Sequence, residues 1–150
     1  VRKVLLVFML LFLSACGVET SQKLKGEYKI EFHTEITNTK KIKATLSSIE
    51  NKYDEVMGEY KVVTFNVENR SDQAIEVQAL NIFADGKRIN QGSASMSQEI
   101  KPGKKEECIL TLQSYASSEL PPIEEKIELE LHIFSWSHDF SEDYDVEIKL

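Results

Sequence analysis

Apolar and polar residues alternate one by one along most of the chain beyond residue 27. Tyr28, Ile30 and Phe32 interleave with Lys29, Glu31 and His33. Ile42, Ala44 and Leu46 interleave with Lys43, Thr45 and Ser47, and Val63, Phe65 and Val67 with Thr64, Asn66 and Glu68. Cys108, Leu110 and Leu112 alternate with Ile109, Thr111 and Gln113, and Ile127, Leu129, Leu131 and Ile133 with Glu128, Glu130, His132 and Phe134. Tyr144, Val146, Ile148 and Leu150 repeat the pattern at the end. A period of two sends successive side chains to opposite faces, so each segment predicts a strand with one dry and one wet face. Ile75 and Val77 begin another, whose later apolar residues, Leu80, Ile82 and Phe83, break strict alternation. The expected inward set includes Val63, Phe65, Val67, Leu110, Leu112, Leu129, Leu131 and Ile133.

The breaks carry turn chemistry. Residues 69–72 form a polar cluster, Asn69, Arg70, Ser71 and Asp72. Asp85 and Gly86 between Phe83 and Ile89 predict a tight hairpin, because glycine accepts positive φ. Pro102 and Gly103 suit a type II turn. No stretch shows a 3.6-residue period, although residues 114–120 have room for one helical turn. About seven to nine strands so spaced over residues 27–150 predict an all-β chain, an antiparallel immunoglobulin-like sandwich, with a small closed barrel as the alternative.

The first 26 residues follow another logic. Arg2 and Lys3 precede ten consecutive apolar residues, 4–13. A bilayer-spanning helix needs about 20 such residues, whereas ten behind two positive charges fit a secretory signal. The next residues, Leu13, Ser14, Ala15 and Cys16, resemble the lipobox of bacterial lipoproteins. The resemblance implies that residues 1–15 are a signal peptide, that the Cys16 sulfur receives a diacylglyceryl group, and that cleavage falls before Cys16. Two acyl chains anchor a protein stably, at about 0.8 kcal/mol per buried CH₂. Gly17 follows Cys16 where the inner-membrane retention signal of Gram-negative lipoproteins has Asp. With the compact signal and abundant lysine, this favours a Gram-positive source and a place on the outer face of the cell membrane, facing the wall. Residues 16–26 then form the lipidated cysteine and a flexible tether. The ten residues from 17 to 26 span at most about 35 Å.

Within residues 60–113, Asn69 to Asp72 end a strand, Asp85, Gly86 and Lys87 make a hairpin, and Pro102-Gly103 leads into the strand of Cys108 to Leu112. This stretch resembles the immunoglobulin-like domains of unknown function in small Gram-positive lipoproteins, which are similar in fold to a secreted mycobacterial antigen. The shared motifs are turn signals. The resemblance implies a fold and supplies no catalytic residues.

Charge changes the picture for function. The 150 residues carry 18 Lys and Arg against 25 Asp and Glu, net −7, which disfavours nucleic acid as a partner. Residues 119–150 hold ten acidic residues against two lysines, net −8, so nearly all the negative charge lies in the last 32 residues. That concentration fits either wet glutamate faces that blunt a sheet edge or a surface for a basic partner, such as an envelope protein.

Catalytic motifs are missing: there is no nucleophile elbow, His-Glu-x-x-His helix, phosphate loop or Cys-x-x-Cys pair. Ser137, His138 and Asp139 are consecutive, and neighbours on a strand or turn diverge where a triad must converge. Cys108 alternates with Leu110 and Leu112 and is expected as a buried free thiol. Asp139, Glu142, Asp143 and Asp145 are oxygen donors around a loop, without the glycine and regular spacing of calcium loops. The expected binding face is Glu128, Glu130, His132, Phe134 and Trp136, the outward parity of one strand. Its aromatics either stand beside the acids as an interface anchor, or the strand bends near Ser135 and the rings cover the open end of the sandwich.

The sequence therefore predicts a non-enzymatic, membrane-anchored binding or accessory module without cofactor. The alternative is a small-ligand or metal-ion carrier, followed by an envelope hydrolase. Acids gathered in a pocket favour the carrier, an exposed apolar-acidic strip favours the module, and a cleft joining His132 or His138 to a carboxylate favours the enzyme.

Overall fold

Every alternating segment forms a strand. The structure, a computed structural model, describes residues 26–150; the signal segment, Cys16 and residues 17–25 of the tether lie outside the described residues. The strands are β1 (Tyr28–Asn38), β2 (Ile42–Asp54), β3 (Gly58–Asn69), β4 (Ile75–Ala84), β5 (Lys87–Arg88), β6 (Ala94–Ser95), β7 (Gln98–Ile100), β8 (Lys105–Gln113), β9 (Lys126–Phe134) and β10 (Ser141–Lys149). Seven are long. The three that raise the total to ten are β5, β6 and β7, of two, two and three residues, too short to leave an alternating signature.

All pairings are antiparallel, in two sheets. One has the order β1-β2-β3-β8-β6; the other is β10-β9-β4-β5, with β7 also on β4. This is an open β-sandwich and not the closed barrel that was the alternative. The chain changes sheets over five residues between β3 and β4, and no strand pairing joins the two sheets. The order β2-β3-β8-β6 against β10-β9-β4-β5 is the immunoglobulin arrangement, with β1 added outside it.

The inner faces meet as expected: Val63, Phe65, Val67, Leu110, Leu112, Leu129, Leu131 and Ile133 are all buried. Irregular patterning in β4 has a local cause. The register against β9 slips by one residue between Leu80 and Phe83, where Asn81 adopts φ 47°. This bulge lets Leu80 and Phe83 both pair on the outer face while Ile82 stays buried. Residues 114–120 hold no helical turn; Tyr115 and Ser118 close a tight turn with reciprocal backbone bonds of 2.8 and 3.0 Å. The only helical turn among the described residues is a 3-10 turn at Gln91–Ser93.

The register gives the sandwich two distinct ends. Gly26, the β2–β3 turn, the β4–β5 turn and the β8–β9 segment share one end. The β1–β2, β3–β4, β7–β8 and β9–β10 connections share the other.

Candidate functional site

The outward side of β9 and β10 is built by register. Glu128 faces Glu147, Glu130 faces Asp145, and His132 faces Asp143. Like charges directly opposite repel. At one end of the ladder Lys126 relieves this, lying 2.9 Å from Glu128 and 3.5 Å from Glu147, and Lys149 sits 3.3 Å from Glu147. The Lys126 ammonium is raised above its usual range, first by its hydrogen bond to Glu128. Lys149 holds the Glu147 carboxyl below its usual range. Asn81, Phe83, Glu128, Glu130, Asp145 and Glu147 line a shallow groove of about 680 Å³ here.

At the other end the face becomes aromatic. His132 Nδ1 bonds Asp143 Oδ1 across the strands. The His132 ring stacks on Phe134 with centroids 4.7 Å apart, and Phe134 meets Trp136 edge-on at 5.1 Å. Such pairs are favoured by the ring quadrupoles. The chain does bend at Ser135, which is buried, accepts from His138 N and caps Phe140 N through its Oγ. Phe140 is the ring that buries at this end of the sandwich, with Lys41 Nζ 5.6 Å above its centroid. Trp136 remains 63% exposed. Glu128, Glu130, His132, Phe134 and Trp136 thus form one continuous acidic-to-aromatic strip.

The remaining candidates disperse. Asp143 and Asp145 belong to the outer face, whereas Glu142 has the opposite parity and accepts from the Tyr144 hydroxyl. Asp139 lies in the turn and accepts from Gln73 Nε2 at 3.3 Å. Among the described residues, no three His, Cys, Asp or Glu side chains are grouped to hold a metal ion. Ser137 donates to Gln73 Oε1 at 2.6 Å, so Ser137 and Asp139 both bond that amide. His138 takes a left-handed φ of 62° between them. Cys108 is buried and free, its thiol pushed up to about 12 by burial and then by the carboxylates of Glu106 and Glu76.

Two features escaped the sequence reading. A groove of about 510 Å³ opens beside Tyr28, Asn51, Lys61, Pro121, Pro122 and Ile123. In it Lys61 Nζ donates to Asn51 Oδ1 at 3.0 Å and to Tyr28 Oη at 3.2 Å, and lies 5.2 Å from the Tyr28 ring centroid. The available signal was polarity at inward positions: Lys61 shares parity with Val63 and Phe65. The second is the β2–β3 turn, where Val56 is 93% exposed.

No protein-family model and no curated protein matches the chain. Two solved structures are similar to it. A FixG-related protein from Vibrio parahaemolyticus is 14% identical, with 71% of this chain and 94% of that chain covered and a TM-score of 0.37. A conserved hypothetical protein from Bacillus anthracis is 11% identical, with 83% and 99% covered and a TM-score of 0.38.

Proposed function

We propose that the chain is a membrane-anchored extracytoplasmic lipoprotein, held by lipid on Cys16, that acts as a non-enzymatic binding module for a basic envelope protein. One observation carries the binding part: the strip from Glu128 to Trp136 is continuous and half-buried, with the exposed Trp136 at its aromatic end and the directly opposed carboxylates of Glu130 and Asp145 in its middle. Aromatic anchors supply most of the energy in protein interfaces, and a charged rim supplies steering and selectivity. The acids lie along an open face and not inside an enclosed pocket, so the strip favours a protein partner over a carried small ligand or ion.

The anchoring part rests on the lipobox-like residues Leu13 to Cys16 behind an apolar run. Labelled fatty acid should enter the wild type and not Cys16→Ala, and incorporation into the variant would overturn it. For binding, cross-linking at the cell surface should capture a partner with wild type that Trp136→Ala does not capture. Trp136→Ala should keep its melting temperature, since changes at exposed positions usually stay within about 0.5 kcal/mol. Undiminished capture by a folded Trp136→Ala protein would remove the strip from the interface.

A further inference from the structure

Apolar side chains concentrate at the end of the sandwich where the chain enters the fold. Val56 is 93% exposed, and Tyr53, Met57 and Tyr115 are each at least half exposed. Tyr53, Val56 and Met57 belong to the β2–β3 hairpin, and Tyr115 lies two residues beyond the end of the adjacent β8. Hairpin tips are ordinarily polar, because turn residues serve backbone geometry and meet water. Here the polar residues fulfil that role and leave the apolar ones outside. Asp54 Oδ1 accepts from Val56 N at 2.8 Å and Met57 N at 2.9 Å, and Gly58 takes φ 75°. The turn is fixed from within, and Val56 and Met57 are exposed on it beside Glu55.

The tip shares its direction with the N-terminal segment. Tyr28 pairs with Asn51, and Asn51 Nδ2 donates to Gly26 O at 2.7 Å. Because β1 and β2 are antiparallel, the chain traced back from Tyr28 runs the way β2 runs toward Val56. From Asn51 to the tip is about five residues, or about 15 Å of strand. The ten residues from 17 to 26 reach up to about 35 Å, enough to let the tip touch the surface that holds Cys16.

We propose that the β2–β3 tip, with Tyr115 beside it, seats in the headgroup layer of the membrane that carries the lipidated Cys16. The inference rests on the lipoprotein reading above. Asp54, Glu55 and Glu59 flank the tip, so contact comes from apolar insertion and not from attraction to anionic lipid. Trp136 lies at the opposite end of the sandwich, so a seated tip turns the β9–β10 turn away from the bilayer.

The test uses full-length protein reconstituted in phosphatidylcholine vesicles. Val56→Cys and, at the opposite end, the exposed Asp72→Cys each carry an environment-sensitive dye. Acylation blocks Cys16, and burial protects Cys108. The expected result is a blue-shifted emission at position 56, quenched by nitroxide-bearing lipid several-fold more than at position 72. Equal access of aqueous iodide to both positions, in protein shown by fatty-acid labelling to be acylated, would overturn the seating alone. Absent acylation would overturn the lipoprotein reading and the seating with it. A shift at position 56 that appears without vesicles and grows with protein concentration would assign the tip to a second copy of the chain and also overturn the proposal.

Discussion

Asn69 shows how much one side chain can hold. It is fully buried, and its Nδ2 donates to Gln73 O at 2.7 Å and Ile100 O at 2.9 Å. Its Oδ1 accepts from Ser71 N at 3.0 Å and Ser71 Oγ at 2.7 Å. One amide thereby joins the end of β3 to the β3–β4 loop and to β7. Asn69→Ala leaves those carbonyls unpaired and should cost about 2–4 kcal/mol in a denaturant titration. Asn69→Asp should cost at least as much, since it turns an acceptor toward two carbonyls; a cost below about 0.5 kcal/mol would mean water replaces the amide freely. The sequence marks Asn69 as a turn residue, but Ile100 is 31 residues away and no local pattern encodes that bond. Cys108 is the opposite case, because alternation with Leu110 and Leu112 is enough to place it inside. A thiol held near 12 is almost wholly protonated at neutral pH. Native protein should resist thiol reagents at Cys108 until it unfolds, and rapid labelling of the folded form would contradict its burial.

At the scale of elements, the Asp85-Gly86 turn joins β4 and β5 with φ of 48° and 78°, as a type I′ hairpin requires. That much is legible from Asp-Gly between apolar residues. The turn also fastens the start of β9, which the sequence does not reveal. Asp85 accepts from Glu124 N at 2.7 Å, Glu125 N at 3.0 Å and Lys126 N at 2.8 Å. Burial pushes the Asp85 carboxyl up, but the three backbone donors and Lys126 together hold it below its usual range. A depressed carboxyl contributes stability that is complete above its unfolded pKa, about 3.9, and is lost as pH falls through the lower folded value. Asp85→Asn should therefore cost about 1–3 kcal/mol at pH 7 and show a shallower acid limb in stability against pH than wild type. Identical acid limbs would mean the clamp does not depend on the charge. The long strands are legible because each buries one whole face. The short strands β5, β6 and β7 exist through pairing with neighbours already in place, and the bulge at Asn81 hides β4's period.

Across the whole molecule, five of the ten acidic residues in 119–150, Glu128, Glu130, Asp143, Asp145 and Glu147, gather on one outer face, because β9 and β10 are adjacent in the same sheet. The strip was legible as strand parity; its aromatic end was not decided by parity, since Ser135 bends the chain and only the structure assigns the end-capping role to Phe140. Glu130 and Asp145 stand directly opposite each other on the outer face. If the face existed only for stability, a cross-strand ion pair there would serve better, by about 0.2–1 kcal/mol. Glu130→Lys creates that pair with Asp145 and should leave the melting temperature unchanged or slightly higher. The same change weakens attraction for a basic partner, so surface capture should fall while stability holds or rises. Raising salt should reduce wild-type capture as well, because the Debye length shrinks from about 8 Å at physiological ionic strength to about 3 Å at 1 M. A lysine at position 130 that stabilises the fold and leaves salt-sensitive capture intact would show that the acids on this face do not take part in recognition.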